Sequence, residues 1–139
     1  RWIRHGAWYP DRKLRLFDKR LGKWTGGKIH EKVSMDAAAT IGRLKGDILH
    51  YSFYTVEEHV QTMNEYSTIK ARVKYDKGIR PGLFRFCVHP VVRFLRDFLI
   101  KGGFRDGFYG YVIARNNAFN VYLTYVKVRE LIRKERREE

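Results

Sequence analysis

Asp11 stands in a stretch whose residue types suit chemistry: Trp8-Tyr9-Pro10-Asp11-Arg12-Lys13-Leu14-Arg15-Leu16-Phe17. Pro10 fixes its own backbone and biases Tyr9 towards an extended conformation, so Asp11 follows a bend. A general base must lie within hydrogen-bond reach of the hydroxyl it activates, and Arg12, Lys13 and Arg15 supply the positive charge that favours a carboxylate. An acid at a loop-to-strand junction, between aromatic rings and cations, suits a site for sugars and phosphates. The ordinary alternative is a surface turn in which Asp11 pairs with Arg12 or caps a backbone amide. Glu31 is the second candidate base. In Ile29-His30-Glu31-Lys32-Val33-Ser34-Met35, strand alternation puts it on one face with Ile29, Val33 and Met35, an unusual place for a charge.

Five histidines offer protons or metal ligation. His30 and His50 fall on separate predicted strands, where either imidazole could join carboxylates around a divalent ion. The ordinary alternative is a strand histidine satisfied by a hydrogen bond. His5, His59 and His89 read as structural or solvated. The chain has no Asp-x-Asp, no phosphate-cradling glycine loop, no Cys/His zinc spacing and no serine-nucleophile elbow. Any metal chemistry therefore needs carboxylates from outside these residues.

The elements that must position these groups divide into two kinds. Residues 1–54 read as β-rich: a strand at Leu14–Phe17, a turn and return through Leu21–Trp24, a strand ending at Met35, and an apolar strand at Ile48–Phe53. Residues 55–139 read as helical. Thr55-Val56-Glu57-Glu58 is a capping box opening a helix that stops at Gly78, with a narrow stripe through Val60, Met63, Ser67 and Ala71. Ile79–Gly82 is a linker. A second helix follows, bent or restarted at Pro90 and ended by Gly102-Gly103. A third spans Phe108 to Arg136, with a solvated charged end.

The length, 139 residues, fits one core, and 29 Lys and Arg against 15 acids give a formal charge of +14. Such a surplus implies an anionic partner: nucleic acid, an anionic membrane surface or a phosphorylated substrate. The excess is uneven, because residues 51–79 carry four cations and four acids and so separate two basic regions. The single cysteine, Cys87, excludes an intramolecular disulfide, fits a reducing compartment and reads as a small buried hydrophobe. In the C-terminal third, Arg93, Arg96 and Lys101 lie among Phe94, Leu95, Phe98 and Leu99, a pattern suited either to a membrane interface or to helix packing with the cations outside.

Taken in order, Trp8–Phe17, Ile29-His30-Glu31-Lys32 and Gly42-Arg43-Leu44-Lys45-Gly46-Asp47-Ile48-Leu49-His50-Tyr51-Ser52 resemble the C-terminal half of bacterial family 2 glycosyltransferases of the lipopolysaccharide-core type. Lys101-Gly102-Gly103-Phe104-Arg105-Asp106-Gly107 and the later Tyr125 and Lys127 are similar to further segments of that group. The resemblance implies an α/β protein, α+β in this part: the C-terminal portion of a GT-A Rossmann-like domain, short strands followed by a helical extension. Residues 1–54 would be the acceptor side of the catalytic domain, and residues 55–139 a helical, membrane-associated extension. The nucleotide-binding half with its Asp-x-Asp would lie outside the chain, and the fragment alone would be inactive.

The resemblance further implies inverting transfer from a nucleotide-sugar donor to a glycan or lipid-linked acceptor, with a divalent metal, Mg or Mn, as cofactor. Asp11 would be the base, with Glu31 as rival because Pro10 stands where the group has Glu. Trp8 and Tyr9 would stack on sugar, Arg15 would face the donor diphosphate, and His50 or alternatively His30 would ligate the metal. The implied location is cytoplasmic, peripheral on the inner face of the membrane. Two other classes fit the composition: a basic, aromatic-rich nucleic-acid-binding module, for which no RRM, KH or zinc-finger motif is visible, and a non-catalytic membrane-peripheral helical module.

Overall fold

The computed structural model describes residues 2–26 and 32–138. Ile29, His30 and Glu31 lie outside the described residues. The chain forms two compact units, Arg1–Pro10 with Phe53–Glu139, and Asp11–Ser52.

The larger unit is built on three helices: α1 (Val56–Asp76), α2 (Leu83–Leu95) and α3 (Gly107–Glu138). The expected capping box starts α1. Glu58 N–H donates to Thr55 Oγ1 at 3.1 Å, and the Glu58 carboxylate accepts from the Thr55 and Tyr54 N–H groups. Met63, Ser67 and Ala71, four residues apart, are its buried stripe. α1 packs on α3, which buries Ile113, Ala114, Ala118, Thr124, Tyr125 and Val128 in the core of the unit. Small side chains on both surfaces let the helices approach closely, and the buried polar groups are satisfied locally. Asn120 Nδ2 donates to Met63 O at 2.8 Å, Ser67 Oγ to Asn64 O at 2.7 Å and Thr124 Oγ1 to Asn120 O at 2.7 Å. Among the described residues no buried side-chain nitrogen or oxygen lacks a partner.

Pro90 does not restart α2. The helix runs continuously from Leu83 to Leu95 and then widens into a π-helical turn, Arg96–Ile100. A 3₁₀ turn, Gly103–Asp106, leads into α3. The segment Lys101–Gly107 is a packing node. A Cβ on Gly103 would come 2.7 Å from the Asp97 carbonyl oxygen, and one on Gly110 would collide with the Gly103 carbonyl oxygen. Only glycine admits these backbone approaches. Buried Asp106 accepts from the His5 N–H at 2.8 Å and the Arg4 N–H at 3.2 Å, while Gly6 N–H donates to Lys101 O at 2.9 Å. These bonds tie residues 4–6 to the helices, so the first residues belong with the helical unit.

The smaller unit holds a two-stranded antiparallel sheet, β1 (Gly22–Thr25) and β2 (Lys32–Met35), with Trp24 opposite Val33 and Gly22 opposite Met35. Met35 and the Phe17 ring close over Gly22, where a Cβ would meet both within 3 Å. Two expected strands do not form. Leu14–Phe17 and Ile48–Phe53 are irregular, because alternation selects a face but supplies no hydrogen-bonding neighbour, and among the described residues β1 and β2 pair only with each other. The α+β character stands in a mostly helical chain.

Cys87 corrects the reading of a buried hydrophobe: it is exposed. It lies on the outer side of α2, a helix with no fully buried residue, along with Leu83, Phe84, Val91 and Leu95.

Candidate functional site

The residues singled out by sequence fall in both units. In the helical unit, Trp8 is half-buried. Its ring lies 5.7 Å from Phe53 and 5.2 Å from His59, while Phe53 and His59 stack at 4.8 Å. Tyr9 is exposed, and the Tyr9–Pro10 peptide is cis. In the smaller unit, Asp11 is exposed and pairs with Lys13 Nζ at 3.1 Å; Arg15 is exposed. His50 is exposed and its Nδ1 lies 3.2 Å from Ser52 Oγ. His30 and Glu31 are outside the described residues. Among the described residues no group of three or more His, Cys, Asp and Glu could hold a metal ion.

The three remaining histidines are structural, as read from sequence. His5 Nδ1 lies 3.2 Å from Asp106 Oδ1, and His89 Nδ1 lies 3.0 Å from the Tyr125 hydroxyl. His59 Nδ1 faces Asn116 Nδ2 at 3.1 Å, and burial lowers its pKa from the ordinary histidine value.

A further concave site lies elsewhere, among the three helices. A cavity of about 440 Å³ is lined by Lys70 and Lys74 of α1, His89 and Arg93 of α2, Arg96 of the π-helical turn, and Asn117, Asn120 and Tyr125 of α3. Lys70 and Lys74 are one turn apart and so project from one side of α1. Arg93 and Arg96 are held from below by Asp97, which is 1% exposed. Arg93 Nε donates to Asp97 Oδ2 at 2.6 Å, Arg96 Nε and Nη2 to Oδ1 at 3.1 and 3.0 Å, and Asn117 Nδ2 to Oδ2 at 3.2 Å. The π-helical turn begins at Arg96, beside this carboxylate, so the irregular backbone coincides with the charge cluster.

Lys70 Nζ donates to Asn120 Oδ1 at 3.2 Å, and Lys74 Nζ sits 5.2 Å from the Tyr125 ring centroid. The Lys70 ammonium is held below the usual lysine pKa, first by burial and then by the charges of Arg93 and Lys74. Lys127 Nζ lies 2.7–2.8 Å from Asn64 O, Asn64 Oδ1, Ser67 Oγ and Thr68 Oγ1, its three N–H groups shared among the four oxygens, and so joins α3 to α1; burial lowers its pKa too.

Sequence reading missed this cavity because its cations come from two helices and the turn after one of them, and only packing brings them together. One signal was present: Lys70 and Lys74 flank the buried stripe Met63–Ser67–Ala71. The packing alternative for Arg93–Lys101 holds in part. Phe94 and Phe98 stack at 5.3 Å with Tyr111 edge-on to both, while Leu95, Leu99 and Ile100 stay exposed.

Comparison with known proteins places the chain beside sugar-transferring enzymes. It is 30% identical, over 84% of its length, to the lipopolysaccharide core biosynthesis glycosyltransferase LpsC of Rhizobium meliloti, 43% of which it covers. It is 30% identical over 88% of its length to an uncharacterized glycosyltransferase of Rickettsia typhi, covering 44% of that protein, and 28% identical over 87% to one of Rickettsia prowazekii, covering 41%. No family profile and no solved structure matches. The chain thus spans less than half the length of these curated relatives, all of them named glycosyltransferases.

Proposed function

We propose that this chain is the acceptor-side part of a family 2 glycosyltransferase of GT-A fold, an inverting enzyme of cell-envelope glycan synthesis. The observation that carries the reading is the 30% identity to LpsC across 84% of the chain. It is supported by the ordered motifs Trp8–Phe17, His30-Glu31 and Gly42–Ser52, and by a smaller unit whose apolar side chains stay uncovered, as at the edge of a sheet completed by other strands.

In this reading an acceptor hydroxyl attacks the anomeric carbon of the nucleotide-sugar. The bond from that carbon to the donor diphosphate breaks, the nucleoside diphosphate leaves, and the hydroxyl proton passes to the Asp11 carboxylate, or alternatively to Glu31. Asp11 is solvent-accessible, which an acceptor hydroxyl requires. Tyr9 and the outer edge of Trp8 offer ring surface to sugar C–H faces, and Arg15 offers charge to the diphosphate. The described residues do not by themselves compose a metal site, so no step is routed through Mg or Mn. His50, or His30, would contribute one ligand to an ion held chiefly by carboxylates of the other half of the enzyme.

The same reading seats the protein on the inner face of the membrane. No described helix is long and apolar enough to cross a bilayer. On α2 and after it, however, Leu83, Phe84, Val91, Leu95, Ile100 and Phe108 are exposed in a chain of charge +14. Apolar side chains beside cations suit shallow burial in an anionic interface.

The test is sugar transfer by the longer enzyme carrying Asp11→Asn. Turnover should fall about 10²–10⁴-fold, the usual worth of a general base, with donor binding intact. Near-normal turnover would remove Asp11 from the role and move it to Glu31.

A further inference from the structure

The cavity among α1, α2 and α3 has a charge balance that helix packing does not require. Among the described residues four cationic side chains, Lys70, Lys74, Arg93 and Arg96, line it, and no carboxylate does. The nearest acid in contact, Asp97, lies beneath the wall and binds two of the four, so the lining keeps a surplus of positive charge. A guanidinium has five N–H donors; one of Arg93 and two of Arg96 are used on Asp97, leaving others free to bind a ligand. A solvated helix face spreads like charges apart, whereas here packing brings them into one concave site, where burial first and the charges of Arg93 and Lys74 second lower the Lys70 pKa.

The walls are also preorganised. Asp97 fixes both guanidiniums, Asn120 holds Lys70, and the Tyr125 ring lies against Lys74. The volume, about 440 Å³, falls within the ordinary range for small-ligand sites. Asn117, Asn120 and Tyr125 also line it, and their bonds to Asp97, to Met63 and Lys70, and to His89 stiffen the wall. Phosphate oxygens match this set: several lone pairs, a charge of one to two, and a geometry that guanidinium and ammonium donors meet together.

We propose that this cavity is a binding site for a phosphate or diphosphate ester, carried either on a soluble small molecule or on a lipid headgroup. The site is built entirely within the helical unit. It rests on the charges of that unit and stands apart from the assignment of Asp11 and from the sugar-transfer reading.

Titration of the whole chain with inorganic pyrophosphate, followed by calorimetry, tests it. Lys74→Gln should weaken binding roughly tenfold, about 1.4 kcal/mol, while Lys77→Gln, an equal loss of charge at the C-cap of the same helix but outside the cavity, should change it little. Equal losses in the two variants, or no binding by the unaltered chain, would overturn the site. In the unaltered chain, pyrophosphate should also shift the side-chain amide resonances of Asn117 and Asn120; resonances that stay in place would overturn it without recourse to a variant. A parallel arm uses phosphatidylcholine vesicles containing phosphatidic acid. A loss of vesicle binding in Lys74→Gln beyond that in Lys77→Gln assigns the phosphate to a lipid, and a loss confined to pyrophosphate assigns it to a soluble molecule.

Discussion

Ser67, Asp97 and Asn120 are polar and buried in the helical unit, while Leu16, Leu44 and Ile48 are apolar and exposed in the hairpin unit. The helical unit spends its interior on hydrogen-bonded polar groups and close backbone approaches, and every described buried side-chain nitrogen and oxygen finds a partner. The hairpin unit, Asp11–Ser52, has no fully buried residue among those described, and its regular structure is a single four-residue strand pair. A lone two-stranded hairpin is marginal in water. The difference teaches that the two halves owe their order to different sources. One is closed by its own contacts, whereas the other presents apolar surface of the kind that further strands cover.

Substitutions in the helical unit should therefore cost most. Asp97→Ala leaves two guanidiniums without their carboxylate. Because Arg93 and Arg96 can still reach water, the loss should fall near the low end for a broken buried pair, about 3 kcal/mol, read by denaturant unfolding of the helical signal. A change under about 0.5 kcal/mol would mean that Asp97 does not organise the helices. Gly110→Ala drives a methyl into the Gly103 carbonyl, which is backbone and cannot rotate away; about 2–3 kcal/mol of destabilisation should follow. Asp106→Asn weakens the hold on Arg4 and His5 more than it affects the helices. Its signature is faster proteolysis near Arg4 with about 1–2 kcal/mol lost.

Acid should act on the same unit. Burial disfavours the imidazolium of His59 in the folded chain, while the unfolded chain takes up that proton near pH 6.5. Stability carries no such penalty above that value and falls as pH drops below it. Thermal melting across that range, compared with His59→Gln, should show the variant with the flatter profile. At the small end, Leu44→Ser in the hairpin unit should shift stability by less than about 0.5 kcal/mol, since Leu44 is 84% exposed.

The same contrast explains what could be read from sequence. The helical unit was legible where its signals are local: the Thr55–Glu58 capping box, the Met63–Ser67–Ala71 stripe, and the stops at Gly78 and Gly102, both with positive φ. Its π-helical turn and its cationic cavity were not legible, because Asp97, Arg93 and Lys70 acquire their roles only from neighbours on other elements. In the hairpin unit, alternation at Leu14–Phe17 gave a strand that does not form without a pairing partner. The candidate groups Asp11, Arg15 and His50 were legible as residue types and as parts of ordered motifs. Their local contacts, with Lys13 for Asp11 and Ser52 for His50, leave the chemistry to whatever completes the site.

Amide deuterium exchange compares the two units most directly when this chain is set beside the longer enzyme proposed for it. In α1 and α3, amides from Met63 to Ala71 and from Ala114 to Val128 should be equally protected in both. Amides of Gly22–Thr25 and Lys32–Met35 should exchange rapidly in this chain and orders of magnitude more slowly in the longer protein, where further strands cover them. Equal protection of the hairpin in the two proteins would contradict the account, because the hairpin would then owe nothing to a second half.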